Sequence, residues 1–433
     1  MAFAFGIVLF AVGILVAVAL HEAGHMWSAR AFGMKVTRFF IGFGPTIFAF
    51  KRKGVEYGLK ALPFGAFVKI TGMTPQEDDI DPETGKPGAE DPRAMWRYPV
   101  WKRTIVMSAG SITHFALTLV TLWLLFSFVG VPDYTKADQV PVRVGAVAEC
   151  VSTKYVYDPA TKTQKACDPG TDPKSPASAL GLQPGDVIQS VDGTAIGGNQ
   201  ALREVLKSAV GKSVTVQYKR GDQTLSGTAS IPEAERVRSD VLGKKTADQI
   251  GPDDLERGGL LGIQVDIRNA DLPVYRYGPV DGAGRTFTVT GSLVERTFAS
   301  LKDIPEKIPN LFKAILGEQR DPETPVSVVG ASRIGGELFE LGDWASLLSL
   351  FATLNLFFGI FNLFPLLPMD GGHIAISWFE RVRSWIAAKR GRPDPGRVDY
   401  YKLAPITLAV IGVLGVFVLL TVTADFVNPI SLK

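Results

Sequence analysis

The chain has 433 residues, of which 46% are hydrophobic and 21% are charged, and its formal net charge at pH 7 is only +3. With so little net charge, no interleaved basic and aromatic residues and no glycine-rich phosphate loop, the sequence argues against nucleic-acid binding. The charged residues form blocks between long apolar runs, which indicates a membrane protein with a water-soluble part and two or three domains.

Four apolar runs are long enough to cross a bilayer, which takes about 20 residues. The first run also resembles a signal peptide, because Ala17-Val18-Ala19 has the form of a cleavage site, but no Lys or Arg precedes it. We therefore predict four transmembrane helices, over residues 2–27, 104–131, 344–367 and 403–422.

The first run ends in His21-Glu22-Ala23-Gly24-His25. Residues i and i+4 of a helix share a face, so two imidazoles at this spacing can hold one zinc ion while the glutamate reaches its bound water. Polar rings are costly in hydrocarbon, so histidines inside a span indicate function. Residues 3–20 extend roughly 27 Å as a helix, which places His21 inside the membrane near one face.

Residues 55–60 and 66–71 alternate in polarity and are rich in aromatic or branched side chains, with Pro63-Phe64-Gly65 between them. This pattern predicts a β-hairpin. Two locations stay open for it, a re-entrant position at membrane depth and an ordinary cytoplasmic position.

The second run contains His114, for which three roles are open: a packed polar residue, a hydrogen-bond donor toward the metal site, or a metal ligand. The sequence favours packing or hydrogen bonding over ligation.

In the middle section, the sequence pattern predicts a strand at 142–151, glycine-rich turns at 179–193, a helix at 199–209 and a strand at 213–219. This order resembles a bacterial PDZ domain, with Leu180 and Leu182 near the loop that receives a peptide carboxylate. Such a module binds peptides or acts as a steric filter over an active site, and the sequence does not separate these roles.

The only two cysteines, Cys150 and Cys167, lie in this module. In an oxidising compartment they would form a disulfide, and the alternative is a pair of buried thiols.

The third run ends in the segment 362–373, Asn-Leu-Phe-Pro-Leu-Leu-Pro-Met-Asp-Gly-Gly-His. A catalytic zinc takes three protein ligands and one water. Asp370, at the end of an apolar span between prolines and glycines, is badly placed for packing and well placed for a metal. We expect it to be the third ligand, with a helix cap as the alternative, and we expect His373 to be a turn or interface residue.

Basic residues are concentrated in the loops that follow the first and third runs, so by the positive-inside rule both loops are cytoplasmic. Both termini and the middle section would then lie outside. Residues 374–389 carry Trp378 and Trp385 among basic residues, which fits an interfacial helix, and residues 285–316 have amphipathic helical spacing.

The His-Glu motif on the first span together with Asn-Leu-Phe-Pro and Asp-Gly-Gly on the third resembles the site-2 protease family of intramembrane zinc metalloproteases. The resemblance covers essentially the whole chain. It implies that His21, His25 and Asp370 hold zinc and that Glu22 is the catalytic base.

The same resemblance implies that Asn362 contacts the substrate backbone, and that the hairpin, through Phe67 and Val68, pairs with an extended substrate strand. The family often has a Gly-x-x-x-Asn pattern in the second span. Here Gly110 is followed by His114 at the position of the asparagine.

The implied fold class is an α-helical polytopic membrane protein with four transmembrane helices, a membrane re-entrant β-hairpin at about 55–71 and an inserted extracytoplasmic PDZ-like α+β domain. The implied divisions are two halves of a membrane protease core at 1–131 and 344–433, the PDZ-like domain at 140–232, and a linker with amphipathic helices at 233–343.

The implied function is a zinc endopeptidase of the bacterial cytoplasmic (inner) membrane that cuts transmembrane segments of single-span proteins in regulated intramembrane proteolysis. Its partners would be the lipid bilayer, substrates such as trimmed anti-sigma factors, and an upstream site-1 type protease. Two other classes remain. A metal transporter would need ligands along a path through the bilayer, and an inactive PDZ scaffold need not keep Glu22.

Overall fold

The apolar runs form long helices and the middle section forms a β-rich unit. The computed structural model describes residues 1–73, 87–133, 136, 140–158, 163–238, 241, 247–266, 272–318, 320–321 and 323–432. The chain divides into a first unit of residues 1–131 and 276–433 and a second unit of residues 132–275. Residues 276–343, which were predicted as part of an extracytoplasmic linker with amphipathic helices, belong to the first unit.

The first unit is mainly helical. Within the described residues, four of its helical stretches, at residues 2–31, 100–129, 344–362 and 400–427, are long and apolar enough to cross a membrane. The prediction of a polytopic membrane protein with four spans and an inserted β-rich region is therefore confirmed. The helices are α1 (Ala2–Ala31), α2 (Val100–Leu124, continued by a π-helical turn Leu125–Val129), α5 (Gly278–Ile315), α6 (Val328–Glu340), α7 (Trp344–Asn362), α8 (Asp370–Lys389) and α9 (Ala404–Val427).

Two long strands follow α1, namely β1 (Val36–Arg52) and β2 (Val55–Ile70). They meet at a two-residue turn, where Lys53 and Gly54 both have positive φ angles, 49° and 78°. Such a turn matches the twist of an antiparallel pair.

Both strands bend, so that one segment of β1 pairs with two segments of β2. Residues 36–41 pair with 66–70 and also with 56–59, while residues 46–52 pair with 55–60. The predicted pairing of 55–60 with 66–71 around Pro63-Phe64-Gly65 is therefore wrong. Both segments belong to β2, and residues 36–41 lie between them.

This arrangement leaves residues 66–70 at one edge of the sheet, and an edge strand presents backbone groups to a further strand. On the sheet, Phe43, Ile47, Phe48 and Leu62 expose from about half to two-thirds of their surface. Exposed large apolar side chains in such numbers need an apolar neighbour, which in a membrane protein is lipid or substrate.

The second unit is built on an antiparallel sheet around one core. The elements are β4 (Val142–Val147), β5 (Tyr157–Asp158), β6 (Thr163–Gln164), α3 (Pro176–Ala179), β7 (Val187–Val191), β8 (Thr194–Ala195), α4 (Asn199–Ser208), β9 (Ser213–Arg220), β10 (Gln223–Ser230), β11 (Glu233–Val237), β12 (Leu255–Gly259) and β13 (Ile263–Val265); short strands β3 (Val131–Pro132) and β14 (Val274–Tyr275) lie where the chain enters and leaves the unit. The sheet has the strand order β10-β9-β7-β4-β13, with β8 paired to β7. The core includes Val142, Ile188, Leu202 and Val216, and α4 closes it.

Cys150 and Cys167 form a disulfide, with their Cα atoms 5.9 Å apart. It closes a loop next to β4, a cross-link worth about 3 kcal/mol in the chain-entropy model. The disulfide, rather than the pair of thiols, is therefore the state that the structure contains.

Candidate metal and catalytic site

Three side chains from two elements meet in the first unit. His21 and His25 lie one turn apart on α1, and Asp370 is the first residue of α8. The two Nε2 atoms are 3.1 Å apart, and Asp370 Oδ2 lies 3.3 Å from His21 Nε2 and 3.2 Å from His25 Nε2. Two ligand atoms bound tetrahedrally to one zinc ion at 2.0–2.1 Å are about 3.3 Å apart. The spacing of this cluster therefore fits zinc.

The protonation of His25 supports the same conclusion. Its Nδ1 lies 2.7 Å from the backbone carbonyl of Val106, and because a carbonyl only accepts, Nδ1 carries the proton. In a neutral ring, Nε2 then bears a lone pair that faces the Asp370 carboxylate and the other histidine. A zinc ion bound between these atoms would accept all of the lone pairs. Among the described residues, these three form the one group with metal-ligand spacing.

Two glycines allow α1 and α2 to approach closely enough to build this cluster. A methyl group at Gly24 would overlap the Ala109 carbonyl and the Thr113 hydroxyl of α2. A methyl group at Gly110 would lie 2.5 Å from His25 Nε2 and 2.6 Å from His21 Nε2. The glycine of α2 therefore faces the ligand atoms themselves.

A glycine pair also fixes the position of Asp370. A Cβ atom at Gly371 would meet the backbone carbonyls of Leu363 and Phe364, and one at Gly372 would meet the backbone at Leu366 and Leu367. The start of α8 is thus packed directly on the turn that follows α7. This contact brings the aspartate back to α1.

Glu22 lies between the two histidines in sequence and contacts the β-sheet. Its Oε2 accepts a hydrogen bond of 2.9 Å from the backbone N–H of Val68. Because that N–H is engaged outside the sheet, the backbone of Val68 points out of the 66–70 edge toward the glutamate. The candidate base is therefore in direct contact with the edge strand that is predicted to bind the substrate.

The other two residues predicted to bind substrate, Phe67 and Asn362, lie on the sheet and at the end of α7. Phe67 stacks on Phe40 and Phe43, with ring centroids 5.6 and 6.0 Å apart. Asn362 is the half-buried last residue of α7 and is not part of the ligand cluster.

His114 is fully buried beside the cluster, with its ring centroid 5.0 Å from that of His21. Its Nδ1 lies 2.9 Å from Asn355 Oδ1, and an amide oxygen accepts, so Nδ1 donates. His114 is therefore a hydrogen-bonded neighbour of the ligands in the described structure. Asn355 was not predicted as a site residue, although a lone asparagine inside an apolar span is itself an indication of function.

His373 lies outside the ligand cluster, as expected of a turn or interface residue. Its ring stacks on Tyr400 at 5.8 Å, and burial lowers its pKa. A neutral imidazole in this position packs without an unpaired charge.

The second unit has a cavity of its own, of about 680 Å³, beside edge strand β13 and α4. The glycine-rich segment 259–262 and both cysteines line it. Leu182 is 5% exposed in the core of the unit, and Leu180 packs against that core. The run Gly259-Leu260-Leu261-Gly262, which lines this cavity, was not predicted to be part of a binding site.

At another position of the second unit, an ion pair joins Asp186, the residue before β7, to Arg220, the last residue of β9. Arg220 donates to both oxygens of Asp186, from Nε at 2.8 Å and from Nη2 at 2.8 Å. This hydrogen bonding from Arg220 holds the pKa of the Asp186 carboxyl below its usual value.

Comparison with known proteins adds to this geometry. The family model described as peptidase family M50 matches residues 9–393. The chain is 38% identical over 436 residues to zinc metalloprotease Rip1 of Mycolicibacterium smegmatis, and 38% identical over 433 residues to zinc metalloprotease Rip1 of Mycobacterium tuberculosis H37Rv. Both comparisons cover 100% of this chain and 100% of the relative.

Proposed function

Since the chain belongs to peptidase family M50 and is a zinc metalloprotease of a membrane, we propose that it hydrolyses peptide bonds inside the transmembrane segments of single-span membrane proteins. The observation that carries this proposal is the cluster of His21, His25 and Asp370 beside Glu22, built on a helix long and apolar enough to span a bilayer.

In this proposal His21, His25 and Asp370 hold the zinc ion. When bound, zinc lowers the pKa of its water toward about 7 and polarises the scissile carbonyl. Glu22 takes the proton from the attacking water and delivers it to the nitrogen of the leaving amine. His25 is oriented by the Val106 carbonyl, and His114 packs against His21 with its own ring held by Asn355.

The sheet edge supplies what a transmembrane substrate lacks. A helical substrate hides its carbonyls in its own hydrogen bonds, so it must unwind before hydrolysis. Residues 66–70 at the edge of the sheet would receive the unwound segment as an added strand. Because Val68 contacts Glu22, a substrate strand added at this edge would lie next to the base. We assign Phe67, Val68 and Asn362 to substrate binding.

We further propose the membrane topology and the substrate class. Basic residues in the loops after the first and third spans place those loops in the cytoplasm, so the PDZ-like second unit is extracytoplasmic in a bacterial cytoplasmic membrane. Anti-sigma factors already trimmed by a site-1 type protease are the proposed substrates.

Separating metal binding from catalysis tests the mechanism. Glu22→Gln should keep zinc and lose cleavage, because the ligands remain while the base is lost. His21→Ala and Asp370→Ala should lose both. Zinc content of the purified full-length variants, measured beside cleavage of a single-span substrate, provides the test. Full turnover by Glu22→Gln would contradict the mechanism.

A further inference from the structure

A cavity of about 520 Å³ in the first unit lies between the start of α2, α8 and the segment that follows α8. The residues that line it do not include the metal cluster. Its charged lining comprises four arginines and two carboxylates, namely Arg97, Arg103, Arg381, Arg397, Glu380 and Asp394.

Both carboxylates already have partners. Glu380 accepts from Arg397 Nη1 at 2.9 Å and from the backbone N–H of Val398 at 2.9 Å. Asp394 accepts from the Ser384 hydroxyl at 2.9 Å and from the backbone N–H of Gly396 at 2.9 Å. Two acids thus face four guanidinium groups, and the lining carries excess positive charge.

Arg103 shows where a negative group is missing. It is 6% exposed, and within the described residues its side chain makes one hydrogen bond, a long one of 3.4 Å from Nη1 to Glu380 Oε2. Its Nε and Nη2 are buried without a partner. Buried unpaired donors on a cation are costly. A phosphate offers oxygens in the geometry that a guanidinium fork binds with two parallel hydrogen bonds.

The cavity adjoins apolar surface suited to acyl chains. Trp101 and Trp378 line it and expose 52% and 48% of their surface, as tryptophans do at a membrane interface. Trp378, Val382 and Trp385, at helical spacing on α8, form an exposed apolar face. A soluble phosphate would make no use of that face, whereas a phospholipid would contact both it and the arginines.

We propose that this cavity binds the phosphate of an anionic phospholipid headgroup, with Arg103 and Arg381 as its cationic partners and Trp101 and Trp378 beside its acyl chains. The bound lipid joins α2 to α8. It thereby links the helix that approaches the histidines to the helix that begins at Asp370.

The test uses the full-length protein in phosphatidylcholine nanodiscs with increasing fractions of phosphatidylglycerol that carries brominated acyl chains. Bromine quenches nearby tryptophans, so binding is read from tryptophan fluorescence, with brominated phosphatidylcholine as the reference lipid. We expect phosphatidylglycerol to quench at a lower fraction than the reference. Arg103→Gln should raise the fraction needed for half-quenching about tenfold, the loss typical of one charge-assisted hydrogen bond.

Two further variants keep the test decisive. Arg381→Gln removes an exposed cavity arginine and serves if Arg103→Gln does not fold. Arg390→Gln, at the end of α8 and outside the cavity lining, removes the same charge as a matched control. We expect weaker binding for Arg381→Gln and unchanged binding for Arg390→Gln.

Equal quenching by the two lipids would overturn the proposal, as would equal weakening by Arg381→Gln and Arg390→Gln, which would indicate general surface charge. Inorganic phosphate distinguishes the source of the anion. Millimolar phosphate should leave the phosphatidylglycerol quenching unchanged. A cavity that takes phosphate but prefers neither lipid would overturn the assignment to a lipid.

Discussion

Gly110→Ala should abolish tight zinc binding while leaving the helices in place. The added methyl carbon would lie 2.5 Å from His25 Nε2 and 2.6 Å from His21 Nε2. Ordinary contact between heavy atoms is about 3.5 Å, so the methyl group or both rings must move by roughly 1 Å. Zinc sites tolerate deviations of about 0.2 Å in ligand distance. The required displacement is about five times that tolerance.

Zinc affinity of the Gly110→Ala protein should therefore fall by at least about 100-fold, the upper end of the effect of perturbing a ligand's surroundings. Metal content after dialysis against graded chelator, together with cleavage of a single-span substrate, measures this loss. Gly412→Ala is the matched control, because it makes the same substitution on α9, where a Cβ would meet nothing within 4 Å.

The control should keep both zinc and activity. Circular dichroism distinguishes a lost site from a lost fold, since alanine favours helix more than glycine does and both variants should remain helical. Wild-type zinc affinity and turnover in Gly110→Ala would refute the close approach of α2 to the ligand atoms.

Three further predictions concern the sheet edge and the second unit. Val68→Pro removes the N–H that donates a hydrogen bond to Glu22, so turnover should fall about tenfold or more with zinc content unchanged. Val68→Ala keeps that N–H and should retain most activity. Deleting residues 142–231 should permit cleavage of untrimmed substrates and leave trimmed ones nearly unaffected; unchanged discrimination between the matched substrates would exclude a size filter. Because the Asp186 pKa is lowered, the Arg220 pair should stabilise the second unit fully above about pH 4 and less as acid protonates it. Amide exchange of the full-length protein should show this loss between pH 7 and pH 3 in the wild type, and Asp186→Asn should be less protected at pH 7.

The helical part of the fold was predictable because each span is encoded by one continuous stretch of sequence. A run of about 20 apolar residues has one stable arrangement in a bilayer, a helix that satisfies its own backbone. Predicted ends such as 104 and 131 differ from the observed Val100 and Val129 by a few residues only. The motif at His21 to His25 was equally local, because one helix turn sets the spacing of its side chains.

The β-sheet was harder to predict, because strand pairing is non-local. Alternation marked the residues of β2 but not their partner, and β1, which supplies that partner, was not predicted at all. The two-residue turn at Lys53 and Gly54 was the usable signal. A turn was predicted at Pro63-Phe64-Gly65, but those residues lie inside β2.

The sequence by itself determined the family, the four spans and the chemical types available for a zinc site, because these depend on composition and on spacing within one element. Only the tertiary structure decided that Asp370 reaches His25 and His21 across 345 and 349 positions of the chain, that Val68 contacts Glu22, and that His114 pairs with Asn355. These contacts depend on how closely α1, α2, α7, α8 and β2 approach one another. That approach is a property of packing at Gly110 and Gly371, which no local pattern encodes.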